Sequence, residues 1–325
     1  MQDRLGRRID YLRISVTDRC NMRCRYCMPE EGMEWFGREH LLTYEELARV
    51  VREVFVPLGL EKVRLTGGEP LLRRDLPDLV AMLREIPQIR DIALSTNAAL
   101  LAEYAPALKR AGLDRVNISL DSLDPERFSR ITRGGNLERV LRGLDRALEL
   151  EFHPVKLNSV IIPGENDDEM VDLAHLTLDR PVHLRFIEFM PVGDRDLHQR
   201  RGTFGVEDML ERLREHFSLE PVAAAPRGNG PARYWRIAGS AGTLGFIHPM
   251  SRHFCDTCNR FRLTADGRAK SCLLVSSERD LRGALRAGAS NDELRQIVLD
   301  ALALKPDWHE MGTEAQALTM SQIGG

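Results

Sequence analysis

Residues 12–29 read LRISVTDRCNMRCRYCMP, a strand-like run that leads directly into three closely spaced cysteines. Cys20, Cys24 and Cys27 follow the spacing C-x3-C-x2-C. Three thiolates on one short loop can bind three irons of a cubane iron–sulfur cluster and leave its fourth iron open, whereas ferredoxin-type sites add a fourth thiolate. No fourth cysteine lies near this loop in the sequence. The motif therefore predicts a cluster that binds a small molecule at its open iron.

Other uses of these cysteines fit the sequence less well. A disulfide framework is typical of short secreted chains, and this chain has 325 residues. A structural zinc ion usually takes four ligands in two close pairs, and C-x3-C-x2-C does not divide that way. A cluster is the favoured interpretation of the first triplet, and zinc is its alternative.

A second triplet lies near the other end of the chain, where Cys255, Cys258 and Cys272 follow the spacing C-x2-C-x13-C. On spacing alone the zinc alternative is stronger here, because His248 or His253 could supply a fourth ligand. The two triplets account for all six cysteines of the chain. Assigning every cysteine to metal predicts a reducing compartment.

The composition is that of an ordinary globular protein, with 43% hydrophobic and 29% charged residues. The formal net charge of −3 predicts no general attraction to nucleic acid or to anionic membranes. No apolar stretch approaches the length of a membrane span, and the first residues lack the apolar run of a secretory signal. We therefore expect a cytoplasmic protein, in which any anion binding comes from local clusters of arginine.

Six strand-like runs alternate with amphipathic helical segments over the first two thirds of the chain, which predicts parallel β/α units. The runs cover residues 11–16, 62–66, 91–96, 115–120, 155–162 and 182–189. Periodicity does not decide between an open doubly wound sheet and a partial barrel. In both folds the functional residues gather at the carboxyl ends of the strands, so we expect one site there.

From about residue 220 the sequence changes in character. The stretch 222–232 reads as a linker of small residues with Pro and Gly. We divide the chain accordingly into an N-terminal β/α region of residues 1–220 and a C-terminal region of residues 221–325. Within the C-terminal region, the pair Asp266-Gly267 predicts the turn of a β-hairpin.

Several motifs resemble those of the radical S-adenosylmethionine (SAM) superfamily. The cysteine loop carries an aromatic residue, Tyr26, before its last cysteine, and TGGEP at 66–70 is similar to the SAM-binding motif of that superfamily. Three further segments narrow the resemblance to one family within this superfamily. They are FIEFMP at 186–191, HFCDTCNRFRLTADG at 253–267 and the terminal Gly324-Gly325. Together these segments resemble the GTP 3′,8-cyclase family, which starts molybdenum cofactor biosynthesis.

The resemblance implies an α/β fold, namely an incomplete (β/α)6 barrel of the triose-phosphate-isomerase type. A C-terminal extension would carry the second iron–sulfur site and cover the open side of the barrel. The implied cofactors are two [4Fe-4S] clusters, one at each cysteine triplet, and SAM. One electron from the first cluster would split SAM and yield a 5′-deoxyadenosyl radical. The residues that would line the SAM site are Tyr26, Gly68, Ser119 and Met190.

GTP is the substrate that the resemblance implies. The radical would abstract the hydrogen at C3′ of GTP, and the C3′ radical would add to C8 of guanine. One-electron reduction of the resulting aminyl radical, with uptake of a proton, would give (8S)-3′,8-cyclo-7,8-dihydroguanosine 5′-triphosphate. Guanidinium groups suit phosphate oxygens, and a charge that faces a barrel interior is costly without a partner. The implied GTP contacts are Arg13, Arg64, Ser95, Lys156, Arg260, Phe261 and Arg262.

The chain departs from the family after the third strand, where Ser95-Thr96-Asn97-Ala98 replaces the usual Thr-Thr-Asn-Gly. Ser95 keeps a hydroxyl at the substrate position, and Thr96 is the alternative to it. Ala98 argues against a left-handed backbone at its position. The tail Gly324-Gly325 would reach into the active site and be required for activity.

The resemblance also implies partners. These are a one-electron donor and a cyclic pyranopterin monophosphate synthase that receives the product. Neither nucleic acid nor a membrane is expected as a partner, and the sequence does not decide between a monomer and a homodimer.

Two alternatives to a GTP-cyclising enzyme remain. A peptide-modifying radical SAM enzyme with an auxiliary cluster would usually have more C-terminal cysteines and no Gly-Gly terminus. A non-catalytic zinc or iron–sulfur sensor would need neither GGEP nor six β/α units. Both alternatives therefore leave features of this chain unexplained.

Overall fold

Twelve strands form one sheet in the computed structural model, which describes residues 1–192, 195–223, 230–275, 277–308 and 320–324. The strands are β1 (Tyr11–Ser15), β2 (Lys62–Thr66), β3 (Asp91–Thr96), β4 (Arg115–Ser119), β5 (Val155–Ile161), β6 (Val182–Glu188), β7 (Leu219–Pro221), β8 (Arg233–Ile237), β9 (Thr243–Ile247), β10 (Arg260–Leu263), β11 (Arg268–Lys270) and β12 (Arg279–Asp280). Their order across the sheet is β12-β11-β10-β1-β2-β3-β4-β5-β6-β9-β8-β7.

The centre of this sheet is parallel. Strands β1 to β6 are neighbours in chain order, and each pairs in parallel with the next. They are the six strands expected from the sequence, and each begins at the predicted residue and ends within one residue of the predicted end. The expected incomplete α/β barrel is confirmed.

The C-terminal residues extend the parallel wall at both of its edges. Strand β9 pairs in parallel with β6, and β10 pairs in parallel with β1. Antiparallel strands then follow outward, β8 and β7 beyond β9, and β11 and β12 beyond β10. The β10–β11 pair is the hairpin predicted around Asp266-Gly267, and Gly267 there has a φ of +78°.

Helices connect the strands. Within the described residues they are α1 (Tyr44–Val50), α2 (Leu76–Arg84), α3 (Leu101–Arg110), α4 (Pro125–Thr132), α5 (Leu137–Glu149), α6 (Met170–Asp179), α7 (Arg195–Arg201), α8 (Val206–Arg214), α9 (Leu281–Arg286), α10 (Asn291–Ala303) and α11 (Met320–Ile323). A π-helical segment, Val51–Phe55, continues α1. Among the residues that the structure describes, no helix has both the length and the apolar character needed to cross a bilayer.

The alternation of side chains along the strands separates the hydrophobic core from the barrel interior. On β1, Leu12 and Ile14 are fully buried in the main core. Arg13 lies between them and lines a cavity inside the barrel. Because successive side chains of a strand point to opposite faces, the core side of each strand fixes which residues face the cavity.

One sequence expectation concerning the backbone is wrong. Ala98 adopts a φ of +62°, in the left-handed region that we expected an alanine to disfavour. Its amide donates to Thr96 Oγ1 at 2.9 Å, and its carbonyl accepts from the Leu101 amide at 3.0 Å, at the start of α3. These two hydrogen bonds hold a conformation that costs an alanine about 1–2 kcal/mol.

Gly143 of α5 packs directly against this turn. A Cβ atom at Gly143 would lie 2.4 Å from the Ala98 carbonyl oxygen and 3.1 Å from the Ala98 Cβ. The helix therefore approaches the loop after β3 at a distance that only glycine permits.

We expect Gly143→Ala to lower the free energy of unfolding by about 1–2 kcal/mol, because overpacking against a backbone carbonyl outweighs the gain in helix propensity. Denaturant-induced unfolding of the chain measures this change. The control is Arg142→Ala, at a neighbouring position of α5 where Arg142 pairs with Glu138 on the surface. Equal stability of the two variants would contradict the interpretation of this contact.

Candidate active site

The first cysteine triplet lies on the loop that follows β1. The amides of Arg23 and Arg25 in this loop donate to the carbonyls of Thr132 and Ile131, at 2.9 and 3.0 Å. These residues are at the end of α4, so the loop is fixed to the barrel rim between its cysteines. The loop is thus positioned by backbone contacts that do not require a bound group.

Burial raises the pKa of each thiol in this triplet: to about 11 for Cys20, to about 12 for Cys27 and well above the ordinary value for Cys24. A buried thiol of this kind loses its proton when its sulfur binds a metal, because metal ligation deprotonates a thiol. Three soft sulfur ligands on one loop suit iron–sulfur chemistry. The residues therefore fit the first cluster that the sequence predicts.

In the part of the chain that the structure describes, no three His, Cys, Asp or Glu side chains are placed to hold a single metal ion. A cubane differs from a single ion in that each thiolate binds its own iron. The donor set at both triplets is three cysteines, which is the set that leaves one iron of a cubane open.

Gly68 of the GGEP segment packs against the cysteine loop. Its amide donates to the Thr17 carbonyl at 2.8 Å. A Cβ atom at Gly68 would lie 2.4 Å from the Arg19 carbonyl oxygen and 2.5 Å from that of Asp18. Glycine is therefore needed here so that the loops after β1 and β2 can approach each other.

One cavity of about 300 Å³ lies inside the barrel, lined by residues within the parallel strands and by residues that follow their carboxyl ends. A volume of this size is at the lower end of the range for small-molecule sites, about 300–1,000 Å³. The cavity brings together residues from both regions of the chain. The sequence-predicted residues in its lining are Arg13, Tyr26, Arg64, Ser95, Ser119, Met190, Cys255, Cys258, Arg260, Arg262 and Cys272.

Two predicted GTP residues lie away from this lining. Lys156 of β5 is almost fully buried, with its Nζ 5.9 Å from the ring centroid of Tyr234. Phe261 points to the opposite face of β10 from Arg260 and Arg262, and it packs on Phe55 with 5.7 Å between ring centroids. The side chain of Phe261 therefore belongs to the hydrophobic core.

The C-terminal tail approaches the cavity through Arg262. Helix α11 precedes the tail, and the Arg262 guanidinium donates to the Gly324 carbonyl at 2.6 Å. Gly324 has a φ of +79°, and a Cβ there would lie 2.6 Å from Thr66 Cγ2. Gly325, the other predicted tail residue, lies outside the described residues.

Asp121 is a cavity residue that the sequence analysis did not identify. Tyr26 donates its hydroxyl proton to Asp121 Oδ2 at 2.7 Å, and the Val160 amide donates to Asp121 Oδ1 at 2.9 Å. Burial raises the pKa of Asp121 to about 6. Its position two residues after Ser119, at the end of β4, is the signal that could have indicated it.

Arg185 of β6 and Asn117 of β4 are two further lining residues that the sequence analysis missed. With its amide oriented to satisfy both arginines, the Asn117 oxygen accepts from Arg185 Nη2 at 2.7 Å and from Arg64. Arg64 also donates to Ser95 Oγ at 3.2 Å. Asn117 thus holds two guanidinium groups side by side in the cavity wall.

Positive charge accumulates in this interior. Burial and the neighbouring Arg262 hold the pKa of Arg13 well below its ordinary value. Burial, together with the charges of Arg115 and Arg185, lowers the pKa of Arg64 to about 10. Like charges that depress each other's pKa create a site that favours an anion.

A buried ion pair lies among these cations. Arg115 Nε donates to Asp91 Oδ1 at 2.8 Å, and Arg115 Nη2 donates to Asp91 Oδ2 at 2.5 Å. Both side chains are buried, and the geometry is bidentate. This pair offsets part of the positive charge inside the barrel.

The second triplet is assembled by a short 3₁₀ turn, Cys255–Thr257, and by the hairpin that returns the chain to Cys272. Although burial opposes ionisation of Cys258, the cations of Lys305 and Arg260 lower the pKa of its thiol. Because the thiolate is the form that ligates a metal, these two cations favour the ligand form of Cys258. All three cysteines line the same cavity as Tyr26 and Ser119.

Two known protein families match successive parts of this chain. The family model described as Radical SAM superfamily matches residues 14–177, and the one described as Molybdenum Cofactor Synthesis C matches residues 182–311. The chain belongs to the radical SAM superfamily, as the parallel barrel and the cysteine loop after its first strand indicate.

Relatives narrow this assignment. The chain is 48% identical to the GTP 3′,8-cyclase of Syntrophomonas wolfei over 328 residues, and 49% identical to that of Pelotomaculum thermopropionicum over 327 residues, with 100% of both chains covered in each case. It is 47% identical to the GTP 3′,8-cyclase of Listeria monocytogenes, covering 100% of this chain and 99% of that protein. Within the superfamily, the chain belongs to the GTP 3′,8-cyclase family.

Solved structures share the fold at low sequence identity. Streptococcus suis SuiB bound to the precursor peptide SuiA superposes with a TM-score of 0.61 at 14% identity, over 93% of this chain and 66% of that chain. SuiB bound to S-adenosylmethionine superposes with a TM-score of 0.57 at 15% identity, over 93% of this chain and 67% of that chain. These likenesses show the fold alone.

We expect Asp91→Ala to lower the free energy of unfolding by about 3–5 kcal/mol, because it leaves the buried Arg115 charge without its partner. Chemical denaturation measures the loss. The matched control is Asp145→Ala, which breaks the exposed pair between Asp145 and Arg180 and should cost about 0–1 kcal/mol. Similar losses for the two variants would contradict a special role for the buried pair.

Proposed function

We propose that this chain is a cytoplasmic radical SAM enzyme that converts GTP into (8S)-3′,8-cyclo-7,8-dihydroguanosine 5′-triphosphate, the first step of molybdenum cofactor biosynthesis. The observation that carries the proposal is the shared cavity, in which Tyr26, Ser119 and Met190 line the same space as Cys255, Cys258 and Cys272. Membership of the GTP 3′,8-cyclase family supports the same reaction.

At the SAM end of the cavity, the three cysteines of the first loop would hold a [4Fe-4S] cluster. When bound, this cluster and SAM would supply the one-electron radical chemistry that hydrogen abstraction at C3′ of GTP needs. Ser119 offers a hydroxyl and Met190 an adaptable apolar surface to SAM. The Asp121 carboxylate fixes the Tyr26 ring through the hydrogen bond to its hydroxyl. Gly68 lets the GGEP loop lie against the cysteine loop.

At the GTP end, the triphosphate would lie among the interior cations Arg13, Arg64 and Arg185, with Lys156 behind them. Their mutual repulsion favours a polyanion, and the planar guanidinium groups can bind phosphate oxygens in pairs. Arg260 and Arg262 would direct guanine toward a second cluster at the C-terminal triplet. Binding the nucleotide at both ends holds C3′ and C8 near attack distance.

The two regions of the chain divide this work. Residues 1–220 would form the SAM and triphosphate end, and residues 221–325 would carry the second cluster. The hydrogen bond from Arg262 to the Gly324 carbonyl supports a role for the tail Gly324-Gly325 in orienting that arginine. A one-electron donor would reduce the first cluster, and a cyclic pyranopterin monophosphate synthase would receive the product.

SAM cleavage by the anaerobically reconstituted chain tests the function. With reductant and SAM present, addition of GTP should cause SAM to be cleaved to 5′-deoxyadenosine and should give a cyclised nucleotide. Addition of ATP should cause much less 5′-deoxyadenosine to form. Cys24→Ala should abolish the reaction, because it removes a ligand of the first cluster. Absence of GTP-dependent 5′-deoxyadenosine from protein with a full iron content would refute the proposal.

We expect the Lys156 amine to take up a proton when GTP binds. Burial and the charges of Arg185, Arg115 and Arg64 lower the pKa of Lys156 to about 6, so its amine is largely neutral at pH 7.5 before GTP binds. A bound triphosphate raises this pKa. The contribution of Lys156 to GTP affinity is therefore fully present below about pH 6. As the pH rises through the raised pKa that Lys156 has in the GTP complex, this contribution is lost, by up to about tenfold per pH unit.

Calorimetry of GTP binding in two buffers of different ionisation enthalpy measures this proton uptake. Lys156→Met should remove most of it near pH 7.5. Lys109→Met is the control, because Lys109 lies on the surface of α3 and donates to the Glu151 carbonyl. Proton uptake by this control variant includes the titration of the nucleotide itself. Equal proton uptake in the two variants would show that Lys156 is not the group that titrates.

A further inference from the structure

Lys305 is a buried lysine that lies against the second cysteine triplet. Only 2% of its surface is exposed. Its Nζ donates to the Ser271 carbonyl at 2.7 Å, to the Arg260 carbonyl at 3.0 Å and to Cys258 Sγ at 3.5 Å. An ammonium group has three protons to donate, so these three hydrogen bonds use its full capacity.

The three partners connect the separate pieces of the second site. Cys258 is one of the three cysteines, Arg260 is the first residue of β10, and Ser271 directly precedes Cys272. The strands β10 and β11 and their turn separate Cys258 from Cys272 along the chain. A single side chain therefore holds both parts of the ligand set at a fixed separation.

The position of Lys305 is itself fixed from the other end of the chain. Arg7 is buried, and its Nη1 donates to the Cys255 carbonyl at 2.8 Å. Its Nη2 donates to the carbonyl of Pro306, the residue after Lys305, also at 2.8 Å. The segment that carries Lys305 is thus joined to the cysteine turn by two independent basic residues.

The chemistry of this contact differs from that of an ordinary buried lysine. Burying an ammonium group is costly unless a negative charge or several acceptors compensate for it. Among the three hydrogen-bond partners of Lys305, the cysteine sulfur is the one that becomes anionic when it ligates a metal. Hydrogen bonds to cluster sulfurs and nearby charge are among the features that set the reduction potential of an iron–sulfur cluster.

We propose that Lys305 is a positioning residue of the second cluster, which holds Cys258 and Cys272 in place and raises the reduction potential of the cluster through its positive charge. The inference rests on the proposed function, because it requires a cluster at the C-terminal triplet. Lys305 touches neither SAM nor GTP in this scheme, and it acts through the cysteine ligand.

The test is a redox titration, followed by electron paramagnetic resonance, of the full chain reconstituted with both clusters. The spectrum that Cys272→Ser loses identifies the second cluster. Lys305→Gln keeps a hydrogen-bond donor but removes the charge. We therefore expect the equilibrium between the reduced and the oxidised second cluster to shift toward the oxidised form by about tenfold or more, which lowers the reduction potential by about 59 mV or more. Lys305→Arg keeps the charge and should stay near the wild-type potential.

Iron and sulfide analysis tests the positioning role. Lys305→Met removes both donor and charge and should lose iron from the second triplet while the first cluster keeps its spectrum. Lys109→Met is the control and should match the wild-type protein in iron content and in both potentials. If Lys305→Met does not fold, the Gln and Arg variants still decide the question through the potential.

Three results would overturn the inference in distinguishable ways. An unshifted potential in Lys305→Gln would exclude the electrostatic role, and full iron content in Lys305→Met would exclude the positioning role. Wild-type protein that binds iron for one cluster only would overturn the proposed two-cluster site itself, and it would be recognised before any variant is compared.

Discussion

The structure depends on positive charge held inside a parallel barrel. Arg13, Arg64 and Lys156 lie on parallel strands of the barrel, and each has a pKa lowered by burial and by neighbouring cations. The Asp91–Arg115 pair offsets one charge, and Asn117 bonds two guanidinium groups without neutralising them. An interior of this kind is costly to form empty and becomes more favourable when a polyanion enters, so the same charges that oppose folding favour the binding of an anion.

The strands tolerate this interior because their other face is apolar. On β1 and β10, arginines alternate with residues of the main hydrophobic core, such as Leu12, Ile14 and Phe261. The core side of each strand holds the arginine between two buried neighbours, which limits how far the charge can move. Burial on one face thus fixes the direction of the chemistry on the other.

The sequence analysis predicted best what depends on local order. Six apolar runs predicted β1 to β6, and Asp266-Gly267 predicted a hairpin, because both signals lie within a few neighbouring residues. The pairing of β9 with β6 and of β10 with β1 could not be predicted from short C-terminal runs, since an isolated run does not indicate which edge it will join.

The site was predicted in the same uneven way. Cysteine spacing located both triplets, and the family resemblance named eight further residues that line the cavity. It missed Asp121 and Arg185, whose importance comes from which neighbours the fold gives them rather than from a motif. It also misjudged Ala98, because a local preference against positive φ was overcome by two hydrogen bonds of the loop after β3.

The pairing of β1 with β10 also bears on how the chain is made. Tyr11 of β1 pairs with Arg260 of β10. One edge of β1 therefore stays unpaired until the ribosome has synthesised most of the protein. An open strand edge is a template for unwanted pairing with other chains. The nascent barrel therefore has a strand edge open to unwanted pairing, which closes late in translation.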